Sequence, residues 1–466
     1  MSVLLIISDV APTDLDGSPL ADSLVHQIDA VWTLDPDHHD IAAAVMVDHG
    51  TTLRSGALAA IRDAFDEHRD VDVIHGDAII DGERTLRPTW GPVAAAALAP
   101  HLDLVASRTA STSGGLAERI EVLGGTAANR IGHLPVALVE RPALLSVSLE
   151  AHDVLDRLDA ARRTLRTPRS VSFVIPTAGT RSAATGRRLV DAARAAARGG
   201  GIDDVDILLV VGEEFDGDPA ELEAVDTTVV HRPGPWNFSV AINEGLLAAR
   251  ADVVILLNDD IEMLEPGWAR PLVDHLRDPS VAMAGAALLY PDQTVQHLGV
   301  IIDDAFPLHP FVGMEVARLP HRATSAHEVV AVTAACAAAR RADLLSVGGL
   351  NVELPASFND IDLCFKLQRE VGRVVVEPAS SLVHHESASR VPTIEPAEWE
   401  RFVTRWGEIV DPWYHPGYHR PDDPDDRRRN ADHLAPTDPF GSWPLRRPLV
   451  QPAVHRARLR PPTESG

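Results

Sequence analysis

At 466 residues the chain is longer than one ordinary domain, and two are expected. A hydrophobic share of 45% beside 24% charged residues is that of a globular protein with buried cores. The net charge of -26 excludes nucleic acid as the main partner, because phosphate recognition needs a basic surface.

The start, MSVLLIISDVAP, has no basic stretch ahead of its apolar run, so it is read as a first strand rather than a leader. No run approaches the ~20 apolar residues that span a bilayer, and a cytoplasmic protein is expected. Two cysteines, Cys336 and Cys364, cannot build a disulfide framework and fit a reducing compartment; both sit in apolar runs, as buried structural thiols do.

Residues 1–142 carry a faint α/β pattern. Val45-Met46-Val47-Asp48-His49-Gly50 can be laid without gaps on Ile255-Leu256-Leu257-Asn258-Asp259-Asp260, and the same register places Val71 on Val281. This is the mark of a duplicated domain. Gly50 then stands where Asp260 stands, and glycine has no side chain to ligate a metal, so the first copy is expected to be silent. Residues 143–169, helical and arginine-rich near their end, are taken as a connector.

From Val171 the rhythm is stronger. Val171 to Pro176 reads as a strand, Arg187 to Arg198 as a helix, and Ile207 to Val211 and Thr227 to His231 as further strands. Asn237 can cap a helix running to about Arg250, and Val253 to Leu257 is a fourth strand. Short apolar strands alternating with helices imply a mostly parallel sheet with helices on both faces. Ligands of such sheets gather at the carboxyl ends of the strands, where Thr177 and Asn258-Asp259-Asp260 fall. The unit is bounded at 170–392. Residues 393–466 hold one helix, from about Glu395 to Trp406, then a Pro/Arg-rich tail that cannot build a core. The tail's late arginines leave contact with acidic lipid at the inner membrane face open, beside the simpler reading of a solvated tail.

Three polar groups could carry chemistry. Adjacent carboxylates after a buried strand, Asp259 and Asp260, are costly unless paired, and a hard divalent cation would pair them. Asp360 stands at the start of a helix, where a carboxylate serves as a cap or as a general base aimed into a cleft; Asp362, two residues on, points elsewhere. His384 and His385 close a strand on opposite faces, so at most one reaches a shared site. Gly199-Gly200-Gly201 fits no phosphate-binding fingerprint, and no serine elbow, CxxC pair or HExxH helix is present.

Together these segments resemble the family 2 glycosyltransferases of the GT-A fold, closest to the bacterial rhamnosyltransferase-like group. The matching runs are Val174-Ile175-Pro176-Thr177, Arg232 to Ser239, Leu256 to Asp260, Leu289 to Asp292 with Gln296 to Val300, Val332 to Cys336, Phe358 to Cys364, and His384 to Arg390. The first copy resembles the same group more faintly, through Asp77 to Asp81 and Arg87 to Pro92. The resemblance implies an inverting transfer of a sugar, rhamnose being one candidate, from a nucleoside diphosphate donor to a glycan or lipid-linked glycan hydroxyl in cell-surface polysaccharide synthesis. It assigns Asp360 as catalytic base, Asp260 and His384 as ligands of Mn²⁺ or Mg²⁺, and Thr177, Asn258 and Asp259 to the donor, with His385 the weaker twin of His384. Two departures stand out. Val210-Val211-Gly212-Glu213-Glu214 lacks the family's base-reading aspartate, so that either Glu213 substitutes for it or the contact is missing, and Ala178-Gly179-Thr180-Arg181 alters its arginine-aspartate. The rival readings are a non-catalytic sugar-nucleotide binder or scaffold, and a nucleotidyltransferase.

Overall fold

The structure, a computed structural model, describes residues 3–413 apart from 28–29, 39–40, 82, 86–92, 96–98, 109–114, 127–129, 144, 163–167, 169, 179–182, 216–217, 219–221, 223–225, 304–305, 320–322, 386–393, 408–410 and 412. The segments Arg87 to Pro92, Gly179 to Arg181, Glu386 to Arg390 and the Pro/Arg-rich tail therefore lie outside the described residues.

Two mixed α/β sheets organise the chain. The first is built from β1 (Val3–Ser8), β2 (Val31–Thr33), β3 (Ile41–Val47), β4 (Thr52–Leu53), β5 (Val73–Ile80), β6 (Glu83–Thr85), β7 (Leu104–Ser107) and β8 (Ile131–Arg141). Its order is β2-β1-β3-β7-β5-β8-β4, with β6 on β5. The second uses β9 (Ser170–Thr177), β10 (Asp204–Val211), β11 (Thr227–His231), β12 (Val253–Leu257), β13 (Ile261–Met263), β14 (Val281–Leu289), β15 (Val295–His297), β18 (His327–Val329), β19 (Cys336–Arg340) and β20 (Arg373–His384). Between β15 and β18 in sequence, β16 (Ile301–Asp303) and β17 (Phe306–Leu308) form a separate hairpin.

The second sheet runs β11-β10-β9-β12-β19-β14-β20-β13, with β15 on β14 and β18 on β20. Strands β11, β10, β9 and β12 are mutually parallel; β19 enters antiparallel between β12 and β14, and β20 returns parallel to β14. The apolar runs explain this layout. β12 and β14 are buried at every residue, as strands covered on both faces must be. One face packs on helix Phe238–Ala248 and helix Asn359–Glu370, the other on helices Ala183–Gly199 and Ala269–His275.

Apart from β11 and β18, the first sheet repeats the second strand for strand. β2-β1-β3-β7-β5-β8-β4 corresponds to β10-β9-β12-β19-β14-β20-β13, and every matched neighbour pair has the same direction. Even the side pairing of β6 on β5 matches that of β15 on β14. The shift that lays Val47 on Leu257 also lays Leu53 on Met263 and Ile79 on Leu289, so the register is constant across these strands.

Helix Pro396–Trp406 packs into the second unit. Trp399, Phe402 and Trp406 meet Phe358 and Phe365 at ring separations of 5.1–5.9 Å, and Glu398 Oε2 accepts from the Ala356 and Ser357 amides. Among the described residues no helix is long and apolar enough to cross a membrane.

Candidate functional site

The site is assembled at the carboxyl ends of β9 and β12, as expected of a parallel α/β sheet. β12 ends at Leu257, and the chain leaves it through Asn258, Asp259 and Asp260 into β13. β13 pairs antiparallel with the end of β20, with Ile261 opposite His384. That pairing carries the imidazole to the carboxylate: His384 Nε2 lies 3.1 Å from Asp260 Oδ1. His385 is thrown to the other face, where its ring meets the exposed Glu262 carboxylate at 2.9 Å. The period of a strand thus separates the two histidines.

Orientation of His384 comes from a residue to which the sequence pattern gave no role. Gln296 Nε2 donates to the His384 carbonyl oxygen, and Gln296 Oε1 lies 2.8 Å from His384 Nδ1. With the amide held this way Oε1 accepts, so Nδ1 carries the ring proton and the Nε2 lone pair faces Asp260. An imidazolium bridge would need an aligned Nε2–H instead. The Asp260 Oδ1 atom is buried and accepts no hydrogen bond. Two lone-pair atoms facing each other at this distance repel unless a cation lies between them. Their spacing is that of adjacent ligands on one ion with bonds of about 2.0–2.2 Å. Asn258 Oδ1 and Thr177 Oγ1, both buried without hydrogen-bond partners, stand at the same strand ends. The donor set fits a hard divalent cation with open positions for outside oxygens.

Asp360 lies in the first turn of helix Asn359–Glu370, after Phe358, whose φ of 61° places a bulky residue in the left-handed region. Such a conformation persists only where surrounding packing imposes it, and here the aromatic cluster holds the Phe358 ring. Asp360 Oδ1 accepts from the Ile361 amide at 2.8 Å and Oδ2 from the Ala334 amide at 3.3 Å. The next residue, Ala335, accepts from the Asn258 amide at 2.8 Å. Adjacent residues of one segment therefore tie Asp360 to the Asn258–Asp260 turn. Asp362 faces the opposite way and is fully buried: Oδ1 accepts from Trp406 Nε1 at 2.9 Å, and Arg405 and Lys366 lie within 3.0 and 3.3 Å. It braces helix Pro396–Trp406. The turn ahead of this region needs Gly349, whose φ is 65° and whose missing Cβ leaves room for Asn243. Asn243 uses that room to exchange two hydrogen bonds with Leu350.

Of the remaining sequence-derived positions, Thr177 is fully buried at the end of β9. Glu213 is exposed after β10, and its carboxylate accepts from the Gly234 amide at 2.8 Å, joining the loops that follow β10 and β11. Asp259 follows Asn258 in the turn, half-buried. The two thiols are buried, and burial pushes both up and away from reactive thiolate.

The matched location in the first sheet has different chemistry. Leu53 pairs with Val139 as Met263 pairs with Leu382, so Arg141 occupies the register position of His384. Arg141 donates to the fully buried Asp103 at 3.0 Å, and Gly50 replaces Asp260. Burial lowers the nearby Arg119 guanidinium to about 10, against the opposing pull of Asp48, Asp103 and Asp9. A cavity of about 1280 Å³ opens there between the strand ends and helices Leu116–Gly125 and Leu149–Arg162. Asp9, Asp48 and His49 offer ligand atoms within 4.8 Å of one another beside it. Size alone does not make this the reaction site, since a fixed guanidinium and a glycine stand where the second sheet has an imidazole and a carboxylate.

Comparison with known proteins bears on the second sheet. Residues 172–342 match the family model described as Glycosyl transferase family 2, a span that includes Asp260 and ends before Asp360 and His384. Uncharacterized protein y4gI of Sinorhizobium fredii is 37% identical over 195 residues, covering 39% of this chain and 22% of that protein. The O-antigen biosynthesis protein RfbC of Myxococcus xanthus is 33% identical over 196 residues, covering 39% of this chain and 15% of its own. The pre-mycofactocin glycosyltransferase of Mycobacterium tuberculosis is 30% identical over 223 residues, covering 46% of this chain and 43% of its own. The chain thus spans less than half the length of each of these relatives.

Proposed function

We propose, from the premise that this chain carries a glycosyl transferase family 2 domain, that it transfers a sugar from a nucleoside diphosphate donor to a hydroxyl of a glycan or lipid-linked glycan. The observation that carries the reading is the pair Asp260 Oδ1 and His384 Nε2, lone pair to lone pair at 3.1 Å and fixed by Gln296. A divalent cation, Mn²⁺ or Mg²⁺, bound by this pair would offset the charge gathering on the departing diphosphate. Asn258, Asp259 and Thr177 flank that position and are assigned to the donor, with Glu213 at the loop where the base would lie.

Asp360 acts as general base. Two backbone amides hold its carboxylate in one orientation, and it takes the proton from the acceptor hydroxyl as that oxygen attacks the anomeric carbon and the bond to diphosphate breaks. Such a base contributes roughly 10²–10⁴-fold. One base on the face opposite the leaving group gives inversion. The relative named for O-antigen biosynthesis supports a surface-glycan acceptor; rhamnose is one candidate for the sugar on the resemblance read from the sequence. Two buried thiols support a reducing, cytoplasmic setting, at the inner face of the membrane if the acceptor is lipid-linked.

The test is a panel of UDP-, GDP- and dTDP-sugars incubated with Mn²⁺, read as release of nucleoside diphosphate. Release by the wild type and its loss in Asp360→Asn are expected. Binding without release would favour a non-catalytic sugar-nucleotide protein, and release of pyrophosphate when a nucleoside triphosphate and a sugar 1-phosphate are supplied instead would favour a nucleotidyltransferase.

A further inference from the structure

His297 is buried to 2% exposure at the end of β15, directly after Gln296, and no step above uses it. Its Nε2 is the acceptor for two backbone amides, Gly299 N and Thr333 N, each at 3.3 Å. An atom accepting from two N–H groups carries a lone pair, so the single proton of the ring sits on Nδ1. That Nδ1 lies 2.9 Å from Nδ1 of His309, with the rings edge to face at 4.9 Å. His309 must then present an unprotonated Nδ1 and carry its own proton on Nε2. Burial, with His309 and His384 nearby, holds His297 well below the usual histidine range and so keeps it neutral, in agreement with this arrangement.

The Thr333 amide is one of three consecutive anchor points. Thr333 N–H goes to His297, Ala334 N–H to Asp360, and the Ala335 carbonyl to the Asn258 amide. The Thr333 hydroxyl closes the segment by accepting from Ala335 N at 3.2 Å. Gly299, with φ of 88°, makes the turn that aims its own amide back at the ring, and a Cβ there would strike Val329. In the first sheet β6 pairs with β5 as β15 pairs with β14, and Thr85, opposite Ala78, holds the register position of His297, opposite Leu288. The half with Gly50 and Arg141 in place of Asp260 and His384 thus also has a threonine in place of this ring.

We propose that His297 is a positioning residue: fixed by His309 as the Nδ1–H tautomer, it anchors segment 333–335, and that segment holds Asp360 in its working orientation. The inference rests on Asp360 being the base. Loss of the anchor should therefore reduce kcat by a larger factor than it raises the donor KM, which it reaches only through the Asn258 amide on Ala335, and leave Mn²⁺ affinity unchanged, because Asp260 and His384 are held separately by β13, β20 and Gln296.

His297→Phe keeps the ring volume and removes the acceptor, and about a tenfold to hundredfold fall in kcat is expected, as misplacement of a catalytic group by about 1 Å can produce. His297→Gln returns an acceptor oxygen near the Nε2 position and should recover most of that loss, at a melting temperature equal to that of the Phe variant. Rates are read with the panel donor that the wild type turns over fastest with Mn²⁺. Histidine ¹⁵N spectra of the wild-type protein give a readout independent of turnover, with His297 Nε2 and His309 Nδ1 both unprotonated. A Phe variant with wild-type kcat, a Gln variant no better than Phe, or a protonated His297 Nε2 would each overturn the proposal. Should either variant not fold, the ¹⁵N spectra still decide it. If the wild type turns over no donor at all, the reading of Asp360 fails, while the same spectra still test the histidine pair.

Discussion

The two sheets share strand order, strand directions and register, yet their strand ends hold different chemistry: Gly50 against Asp260, and Arg141 against His384. A fold survives such exchanges because its stability is spread over many apolar positions, each replaceable by a residue of similar volume. A metal and proton-transfer site has no such redundancy, since one lost ligand atom removes it. In the first sheet the polar groups at these ends pair with one another, Arg141 with the buried Asp103 and the exposed His49 with Asp9. In the second, buried oxygens of Asp260 and Asn258 accept nothing from the protein. We propose that the first half is non-catalytic for this reason.

That contrast can be broken by mutation, and the largest effect belongs to Asp360. Asp360→Asn should lower kcat by roughly 10²–10⁴-fold with donor binding retained, measured by nucleoside diphosphate release and calorimetry. Next, Asp260→Ala should abolish Mn²⁺-dependent donor binding in a calorimetric titration, whereas Asp48→Ala, at the matched turn of the first sheet, should leave it intact. Equal losses in the two variants would erase the asymmetry argued above. Gln296→Ala should weaken Mn²⁺ by about 10–100-fold, the usual consequence of releasing a ligand's outer partner; an unchanged electron paramagnetic resonance titration would count against the tautomer assigned to His384.

Arg141→Ala sharpens the comparison from the other side. It leaves the fully buried Asp103 without its guanidinium and should cost about 3 kcal/mol of stability in denaturant unfolding, while kcat per folded molecule stays unchanged. The smallest effect is that of His49. Its hydrogen bond to Asp9 raises the His49 pKa; burial raises Asp9, but its hydrogen bonds from His49 outweigh this and lower it. A raised histidine stabilises below its unfolded pKa and loses that contribution as pH rises through the folded one. A lowered aspartate stabilises above its unfolded pKa and loses that contribution on acidification. The bridge therefore contributes most between about pH 4 and 6.5. At 46% exposure of His49 the gain is screened to roughly 0.2–0.5 kcal/mol, so His49→Ala should lower the melting temperature slightly at pH 5.5 and less at pH 8.5.

Much of this was legible in the chain. β11 and β12 and the C-terminal helix fall where periodicity places them, and the Asn237 side chain does cap its helix by accepting from Val240 N. The duplication was readable because apolar strands keep their spacing when side-chain chemistry drifts. Less legible was everything carried by pairing across the sheet. That His384 and not His385 faces Asp260 follows from the β13–β20 register, and the part played by Gln296 follows from its reach across to β20. Arg141 could not be matched to His384 from sequence, since no local pattern aligns β8 with β20.

By itself the sequence determined the elements and the order of the segments, because local spacing and apolar burial are properties of contiguous residues; Asp260, Asp360 and His384 were singled out only by the resemblance of those segments to a known family. Tertiary structure decided which of each neighbouring pair faces the strand-end site. It set His384 against His385 and Asp360 against Asp362, and it tied residues 333–335 to both Asp360 and Asn258. Those choices depend on hydrogen bonds between strands and loops far apart in the chain, whose partners no local window contains.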